Sequence, residues 1–423
     1  MNSLFNSYRF CYVGNALTKR TLFKAIGDIL LGKSRKRYHL FKQNLATFFG
    51  TKSNQVFLFA AGRMGLYILL KSLNLKPEDE VIVAGYTCVV VPNAVKYVGC
   101  KVKYVDITKE TLNLDTEKLF ATITPQTKAV VIAHNFGLVY TDIQKIKSTF
   151  PNIIIIEDAA HTFGSRDSNG ALCGQLGDAA FFSFEYSKPL TTGFGGFLLV
   201  NNLDLLPAVE ILTRDMPRFS KKDIFRIFLT LSVYVLTNFK WTQAFFRISV
   251  GLIRRMNLIY TTPIEEIQGE KPKKYPAKFS PVLSVFGYHQ LCQLQKINSI
   301  KQQITYLYFE TFKDFVDLNI YYSLQTIGVR FSVVFKPYIS VEAIKKIKIE
   351  TAKHGFVLGE WFNSVIHPKG SFQYLYKPGT CPIGEQISER IVNFPININR
   401  IPNETELLIL KTIFIDHGIR QNV

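Results

Sequence analysis

Asp158 and Lys188 are the two ionisable residues whose sequence surroundings most favour chemistry. Asp158 ends the run IIIIED, so we expect it at the carboxyl edge of a buried strand, where ligands of open α/β sheets bind. A carboxylate in such a place is costly unless it has a partner, and a cationic ring nitrogen would be one. A lysine held beside that ring is what a cofactor bound as a Schiff base requires.

Lys188 lies in a segment that favours close approach of the backbone to a ligand. It follows the strand-like stretch AAFFSF and a turn at Tyr186 and Ser187, and Thr191, Thr192 and several glycines come after it. Glycine permits backbone contacts that other residues exclude. Each feature alone is weak evidence, because strands ending in Glu-Asp are common and a lysine in a glycine-rich loop is usually solvated.

The elements around these residues predict a mostly parallel α/β sheet. Short apolar runs, with helical stretches between several of them, are typical of strands between residue 55 and about residue 202 (VFLFAAG, EVIVAG, KVKYVD, AVVIAHN and IIIIED). Strands buried on both faces have this composition, and the βαβ alternation indicates parallel pairing.

The rest of the chain suggests further units around this sheet. A helix is predicted from Tyr38 to Phe49, ending at Gly50, and residues 282–312 are predicted to form one long helix. The last hundred residues mix strands and helices, which indicates a second, smaller α+β domain. The expected parts are an N-terminal helical segment, a large α/β domain, an insert and a C-terminal unit, at residues 1–50, 51–217, 218–274 and 275–423.

Composition excludes several classes of protein. The chain has 423 residues, of which 47% are hydrophobic and 20% charged, so it can bury a large core and is not expected to be disordered. Its six cysteines form no CxxC pair and none has a histidine at zinc-ligand spacing. We therefore expect reduced thiols, no metal site and a cytoplasmic setting. The N-terminus lacks the long apolar stretch of a signal peptide.

The formal net charge of +19 favours an anionic partner. Nucleic acid, a membrane surface and anionic small substrates all fit such a charge. The basic residues are spread along the chain without the aromatic–basic interleaving of RNA-binding proteins, so nucleic acid is not expected.

Residues 218–260, within the insert, are both apolar and basic. The longest uncharged run, Ile227 to Phe239, has 13 residues, whereas a spanning helix needs roughly 20. One interpretation is a pair of helices packed on a dimer or covering a site. The other is an amphipathic element at the surface of an anionic membrane, which would make the protein peripherally membrane-associated. That element would carry the basic residues Arg226, Lys240, Arg247, Arg254 and Arg255.

Five ordered blocks resemble the DegT/DnrJ/EryC1/StrS family of nucleotide-sugar aminotransferases. They are AAGRMGLYILLKSLNLKPEDEVIVAGYT, VKYVGCKVKYVDITKETLNLD, EDAAHTFG, FSFEYSKPLTTGFGG and a C-terminal pair of elements, WFNSVIHP and CPIGEQISERIVNFPI. The resemblance covers roughly residues 40–210 and 275–415. It implies fold type I, a mostly parallel seven-stranded sheet sandwiched by helices with a smaller C-terminal α+β domain, and the cofactor pyridoxal 5′-phosphate (PLP).

The resemblance also implies roles for the matching residues. Lys188 would bind the cofactor and carry a proton during the reaction, and Asp158 would pair with the pyridine nitrogen. The other expected cofactor-binding residues are Gly62, Arg63, Tyr86, Thr87, His161 and Ser183, of which Gly62 and Arg63 begin a helix suited to phosphate. His134 and His367 match positions near the substrate.

The activity implied is transfer of an amino group from glutamate or glutamine to a keto sugar in surface polysaccharide or glycolipid synthesis. The acceptor would be nucleotide-linked or, if the insert binds membrane, lipid-linked. A homodimer is implied, because type I enzymes build their sites across a two-fold interface. The alternatives are a non-catalytic regulator or scaffold and a PLP-dependent sugar dehydratase. Lys188 argues against the dehydratase, whose relatives generally carry histidine at that position.

Two departures from the family concern the phosphate. Arg63 stands where threonine is usual, and of two orientations, toward phosphate or toward solvent, we favour pairing of its guanidinium with phosphate. The family's N-Y-R-M segment appears as residues 276–279, so its asparagine, which reaches the neighbouring subunit's phosphate, is lost. The phosphate contact is therefore expected to move to Arg63 or Lys278.

Two further departures concern the rest of the site. Phe194 replaces the glutamate of the family's GEGG element, which affects how donor or acceptor is handled. Cys88 stands where an aromatic residue is usual, so Tyr86 is expected to supply the stacking surface for the cofactor.

Overall fold

The computed structural model describes residues 16–238, 251–252, 255–256, 258–322 and 326–421. In this part of the chain the helices are α1 (Lys19–Leu30), α2 (Ser34–Phe48), α3 (Gly62–Ser72), α4 (Val90–Val98), α5 (Thr116–Thr122), α6 (Ile143–Thr149), α7 (Leu206–Thr213), α8 (Lys221–Thr237), α9 (Ile264–Ile267), α10 (Pro281–Leu291), α11 (Leu294–Phe312), α12 (Val341–Lys353), α13 (Pro382–Ser388) and α14 (Glu404–Asp416). The predicted helix before Gly50 corresponds to α2, and Gly50 has the positive φ of a helix-ending glycine.

The largest sheet has seven strands in the order β1-β8-β7-β6-β5-β2-β4. Its strands are β1 (Val56–Phe59), β2 (Glu80–Ala84), β4 (Lys101–Val105), β5 (Thr127–Ala133), β6 (Ile154–Asp158), β7 (Ala179–Ser183) and β8 (Gly196–Val200). All neighbouring pairs are parallel except those made by β8, which runs antiparallel to both β1 and β7. The carboxyl ends of β5, β6 and β7 therefore meet at one edge, which brings Asp158 and the turn after Ser183 together.

Alternate residues of the central strands contribute to two separate cores. On β2, Val81 and Val83 belong to the core that includes α2 and α3, while Ile82 and Ala84 belong to the core on the opposite face. Side chains of a strand alternate between its faces, so both faces of this sheet are covered. This explains why the strands are continuous apolar runs in the sequence.

Two smaller sheets bring the C-terminal part of the chain to the same edge. An antiparallel sheet has the order β12-β10-β9, with strands at Ile391–Pro395, Arg330–Phe335 and Leu318–Ile320. A short parallel pair joins β3 (Thr87–Cys88) to β11 (Ile366–His367). Because β3 follows β2 directly, this pair fixes His367 beside the carboxyl edge of the main sheet.

The single long helix predicted over residues 282–312 is wrong, because the structure contains two helices there. α10 ends at Leu291 and α11 begins at Leu294, with Gln293 in a non-helical conformation between them. Phe286 of α10 belongs to the same core as Phe41 of α2, whereas Ile304, further along α11, belongs to the core on the opposite face of the main sheet. A continuous helix has one axis, so the break lets each segment follow its own core.

The described part of the insert includes one amphipathic helix. α8 begins after Ser220, whose hydroxyl oxygen accepts a hydrogen bond from the Asp223 N–H, and it buries Ile227, Leu231 and Val235 completely. The insert residues 239–250, including Lys240 and Arg247, and Arg254 lie outside the described residues. Within the described ranges no helix combines the length and the apolar character needed to cross a bilayer.

Candidate functional site

A cavity of about 330 Å³ opens at the carboxyl edge of the main sheet. Its wall combines residues from β3, β6 and β7, from the first turn of α3, and from the C-terminal unit. Of the residues predicted from the sequence, the structure brings Gly62, Arg63, Thr87, His134, Asp158, His161, Ser183, Lys188 and His367 to this wall.

Asp158 is placed by the strand register. It is the last residue of β6, between β5 and β7, and its Oδ1 accepts the Ala160 N–H at 3.1 Å. Burial raises the pKa of the Asp158 carboxyl, and the positive charge of Lys188 partly opposes that shift. A buried carboxylate of this kind is stabilised by a nearby cation, as a protonated ring nitrogen would provide.

Lys188 lies in the turn that follows β7. Its backbone N–H donates to the Glu185 carbonyl at 3.0 Å, and its Nζ lies 2.8 Å from Nε2 of His161. Burial lowers the pKa of Lys188, and the positive charge of Arg330 lowers it further. The site therefore favours a neutral amine, which is the nucleophilic form of lysine.

The hydrogen bonds of His161 assign its tautomer. Its Nδ1 accepts the Phe136 N–H at 3.2 Å, and burial holds the pKa of His161 well below its usual value. A neutral imidazole that accepts at Nδ1 carries its proton on Nε2. The Nε2–H of His161 consequently donates to the lone pair of a neutral Lys188 amine. The imidazole is also stacked on Phe136, with centroids 5.9 Å apart.

The first turn of α3 packs directly on the end of β7. A Cβ atom on Gly62 would lie 2.4 Å from the Phe182 carbonyl oxygen, and one on Gly196 would lie 2.4 Å from the Gly62 backbone. Glycine at these positions thus brings the unpaired N–H groups at the start of α3 next to Ser183. A helix N-terminus beside a serine hydroxyl suits a phosphate group.

Arg63 makes a contact that the sequence did not reveal. Its guanidinium forms a two-point ion pair with Glu266 of α9, through Nε to Oε2 and through Nη2 to Oε1, the latter at 2.7 Å. The same guanidinium lies over the Phe194 ring, 5.6 Å from its centroid. The predicted contact of Arg63 with phosphate stays a prediction, and it would compete with Glu266.

Tyr86 does not provide the predicted stacking surface. Its hydroxyl donates to the Phe362 carbonyl and accepts the Phe362 N–H, both at 3.1 Å, and its side chain is completely buried in the core. The cavity wall contains Thr87 and Cys88 instead. Tyr86 follows the end of β2 on the face that packs on the C-terminal unit, which accounts for this orientation.

The two predicted substrate histidines differ in their surroundings. Nε2 of His134 lies 2.9 Å from a Glu157 oxygen, and its Nδ1 accepts the Tyr140 N–H at 3.0 Å. Both ring nitrogens of His134 are thus used within the protein, so the ring has no nitrogen left for a substrate. His367 uses Nδ1 on Asn363 at 2.9 Å, and burial lowers the pKa of His367 to about 4, which keeps it neutral. The substrate role of His367 stays a prediction.

Several residues of the cavity wall were missed by the sequence analysis. They are Glu185, Ser187, Arg330, Trp361 and Phe362. Ser187 and Glu185 form the turn before Lys188, where the Ser187 hydroxyl donates to the Glu185 carboxylate at 2.8 Å. Arg330 is the first residue of β10, in the C-terminal unit. A charged residue at the start of an apolar strand was the sequence feature that could have indicated it.

The residues of the cavity fit PLP. A neutral lysine amine, a carboxylate suited to a ring nitrogen and a helix N-terminus suited to phosphate all face one cavity. Within the described ranges, no group of three or more histidine, cysteine or acidic side chains is arranged to hold a metal ion.

Comparisons with known proteins identify the family that this chain resembles. A model of the DegT/DnrJ/EryC1/StrS aminotransferase family matches residues 26–223. The chain is 39% identical over 153 residues to the GDP-perosamine synthase of Caulobacter vibrioides, covering 36% of this chain and 41% of that protein. It is 37% identical over 176 residues to a Pseudomonas aeruginosa UDP-2-acetamido-2-deoxy-3-oxo-D-glucuronate aminotransferase, covering 41% of this chain and 48% of that one. The matched segment thus spans less than half of each of these two relatives.

Solved structures extend the likeness over the whole fold. PseC of Helicobacter pylori, an aminotransferase involved in the biosynthesis of pseudoaminic acid, superposes with a TM-score of 0.73 at 18% identity and covers 97% of this chain and 99% of that one. At 18% identity the superposition shows a shared fold and nothing more. Together the matches confirm the resemblance to this aminotransferase family and the fold class predicted from the sequence.

Proposed function

We propose that this chain, whose residues 26–223 match the DegT/DnrJ/EryC1/StrS aminotransferase family, transfers an amino group from an amino acid to a keto sugar. The observation that carries the proposal is the pair formed by the Lys188 amine and His161 beside the Asp158 carboxylate. We propose glutamate or glutamine as donor and a sugar of surface polysaccharide or glycolipid synthesis as acceptor.

The residues of the cavity have distinct tasks in this reaction. PLP, when bound, supplies the electron-withdrawing ring that lets a substrate carbon lose a proton. Asp158 would hold a proton on the ring nitrogen, because its buried carboxylate is most stable beside a cation. The start of α3 and Ser183 would hold the phosphate. The Lys188 Nζ takes and returns the proton at the substrate carbon, a task that its lowered pKa favours.

The overall reaction balances without a further reagent. The donor gives up its amino group and leaves as a 2-oxo acid. The acceptor carbonyl receives that amino group, and its oxygen leaves as water after a matching water is consumed at the donor. Lys188 serves both halves, because each half moves one proton at the carbon that bears the nitrogen.

Absorbance of the purified protein tests the proposal. We expect a visible band from PLP bound to Lys188, and we expect Lys188→Ala to abolish it. Lys301→Met is the matched control, because Lys301 lies near the same turn but outside the cavity wall. Wild-type protein that develops no band with added PLP would contradict the proposal.

A contact with anionic membranes is a finer part of the proposal. The described insert exposes Phe225, Leu252 and Met256, each more than half accessible, whereas the inward side of α8 packs on the protein. These apolar side chains in a strongly basic chain support peripheral binding to anionic lipid, with the protein on the cytoplasmic side. Flotation with phosphatidylglycerol vesicles at low salt tests this, and protein that stays with the soluble fraction would contradict it.

A homodimer is also proposed. Lys278 lies at a bridge to Phe59 and donates from Nζ to the Arg214 carbonyl at 2.6 Å, close to the start of α3. In a two-fold dimer of this family, that segment would face the partner's phosphate site. Light scattering that gives the mass of one chain under conditions where PLP is bound would contradict this assembly.

A further inference from the structure

Arg330 is a buried cation in the wall of the cavity. It is the first residue of β10, and only 1% of its surface is accessible. Its guanidinium carbon lies 3.9 Å from the centroid of the Trp361 ring, and its Nη2 donates to the Ser187 hydroxyl oxygen at 3.2 Å. The C-terminal unit therefore fixes a guanidinium against Ser187, the residue that precedes Lys188.

The positive charge of Arg330 acts on the other basic groups of the cavity. After burial, it is among the causes that lower the pKa values of Lys188, His161 and His367. The Asp158 carboxylate is assigned to the ring nitrogen, and the Glu185 carboxylate accepts from both the Ser187 N–H and hydroxyl. The cavity thus favours an anionic group on its substrate, in addition to the phosphate of the cofactor.

The position of Arg330 favours a carboxylate close to the reacting nitrogen. In an amino acid, the α-carboxylate is bonded to the same carbon that bears the amino group. In a nucleotide-linked keto sugar, the phosphates lie beyond the sugar ring. A guanidinium beside Ser187, the residue before Lys188, matches the short distance between the amino group and the α-carboxylate of an amino acid. Its planar fork can bind both oxygens of that carboxylate.

We propose that Arg330 binds the α-carboxylate of the amino donor, an inference that rests on the proposed function. Trp361 holds the plane of the guanidinium by stacking on it, and Ser187 holds one edge. Arg330 is then a specificity-determining residue that orients the donor's α-carbon toward the Lys188 amine. Because Arg330 belongs to β10, a donor bound to Arg330 and Lys188 would contact both the C-terminal unit and the turn after β7.

The wild-type protein tests this without any substitution. L-glutamate, L-glutamine and L-alanine are each compared with their own α-amide in single-turnover loss of the lysine-bound PLP band. The α-amide keeps the shape of the donor but removes the charge. We expect the second-order rate constant of the best donor, its observed rate divided by its concentration, to exceed that of its α-amide about 100-fold. Equal rates would overturn the assignment.

Calorimetric binding of 2-oxoglutarate to the PLP-loaded protein gives a readout that is independent of turnover. We expect Arg330→Met to weaken this binding at least about tenfold and Arg330→Lys to weaken it less, since lysine keeps the charge but loses the fork. The control is Arg390→Lys, because the Arg390 guanidinium donates to the Lys336 and Ile339 carbonyls and lies outside the cavity wall. Unchanged 2-oxoglutarate binding in both Arg330 variants would overturn the inference.

Inorganic pyrophosphate distinguishes the other anion source. If Arg330→Met weakens pyrophosphate binding and leaves 2-oxoglutarate binding unchanged, the residue serves the acceptor and the inference fails. Should Arg330→Met not fold, Arg330→Lys and the α-amide comparison still decide. A wild-type protein without a PLP band refutes the proposed function itself, whereas a band that donor and α-amide discharge equally refutes only the role of Arg330.

Discussion

The Nζ atom of Lys188 lies 2.8 Å from the Nε2 atom of His161, and the hydrogen bond from Phe136 to Nδ1 places the imidazole proton on Nε2. The histidine therefore donates to the lysine, which requires the lysine to be a neutral amine. Burial and Arg330 favour the same form. Both features increase the fraction of Lys188 in its nucleophilic, neutral form.

This arrangement predicts the pH dependence of cofactor loading. The pKa of Lys188 is lowered, so the fraction of neutral amine, and with it the rate of PLP attachment, should rise with pH through a midpoint below 10.5, the ordinary value for lysine. In His161→Phe the neutral amine loses its donor, so we expect the midpoint to move to higher pH. Stopped-flow absorbance from pH 6 to pH 10 measures both. A midpoint that does not move would contradict the tautomer assignment.

Asp158→Asn should leave the cofactor attached but impair turnover. An amide cannot stabilise a protonated ring nitrogen, so we expect the rate of the donor half-reaction to fall about 100-fold or more. The visible band of lysine-bound PLP should remain, which separates this effect from misfolding. Full activity in Asp158→Asn would show that this carboxylate does not face the ring nitrogen.

The ion pair of Arg63 with Glu266 should matter for stability. Glu266→Gln leaves a buried guanidinium without its carboxylate, and removal of one partner of such a pair costs about 3–5 kcal/mol of unfolding free energy. Urea unfolding of Glu266→Gln, of Arg63→Gln and of the double variant measures the coupling between the two side chains.

The affinity of Glu266→Gln for PLP tests whether Arg63 binds the phosphate. If it does, PLP should bind more tightly to this variant, because the competing carboxylate is gone.

The buried amine of Lys301 predicts that the stability of the protein rises with pH. Its Nζ donates to the Pro189 carbonyl at 2.7 Å, and burial lowers its pKa from 10.5 to about 7. Between those values the unfolded chain binds more protons than the folded one, so this residue's penalty is full below pH 7 and fades as pH rises. Lys301→Met should therefore stabilise the protein by about 1–3 kcal/mol at pH 6 and less at pH 9. Chemical unfolding at the two pH values checks this, and an equal effect at both would contradict the shift.

The sequence was sufficient where local pattern decides position. Asp158 was predicted at a sheet edge because four isoleucines before it require a buried strand, and the structure ends β6 at that residue. The βαβ alternation predicted parallel pairing, which the order of the main sheet confirms. Lys188 lies at the same carboxyl edge of the sheet, because β7, which precedes its turn, pairs in parallel with β6.

The sequence was insufficient where distant residues decide orientation. Arg63 and Glu266 are 203 residues apart, so no local pattern could have paired them. Tyr86 turns away from the cavity because Phe362, from the C-terminal unit, supplies both of its hydrogen-bond partners. The break between α10 and α11 arises because their apolar faces serve two different cores, and one helical periodicity covers both.

Borohydride trapping followed by peptide mass spectrometry tests the central claim most directly. The wild-type protein is incubated with PLP, reduced and digested, and the cofactor adduct is located along the sequence. We predict a single major adduct on Lys188, absent from Lys188→Ala and unchanged in Lys301→Met. An adduct on another lysine, or none on the wild-type protein, would contradict the assignment of Lys188 as the residue that holds the cofactor.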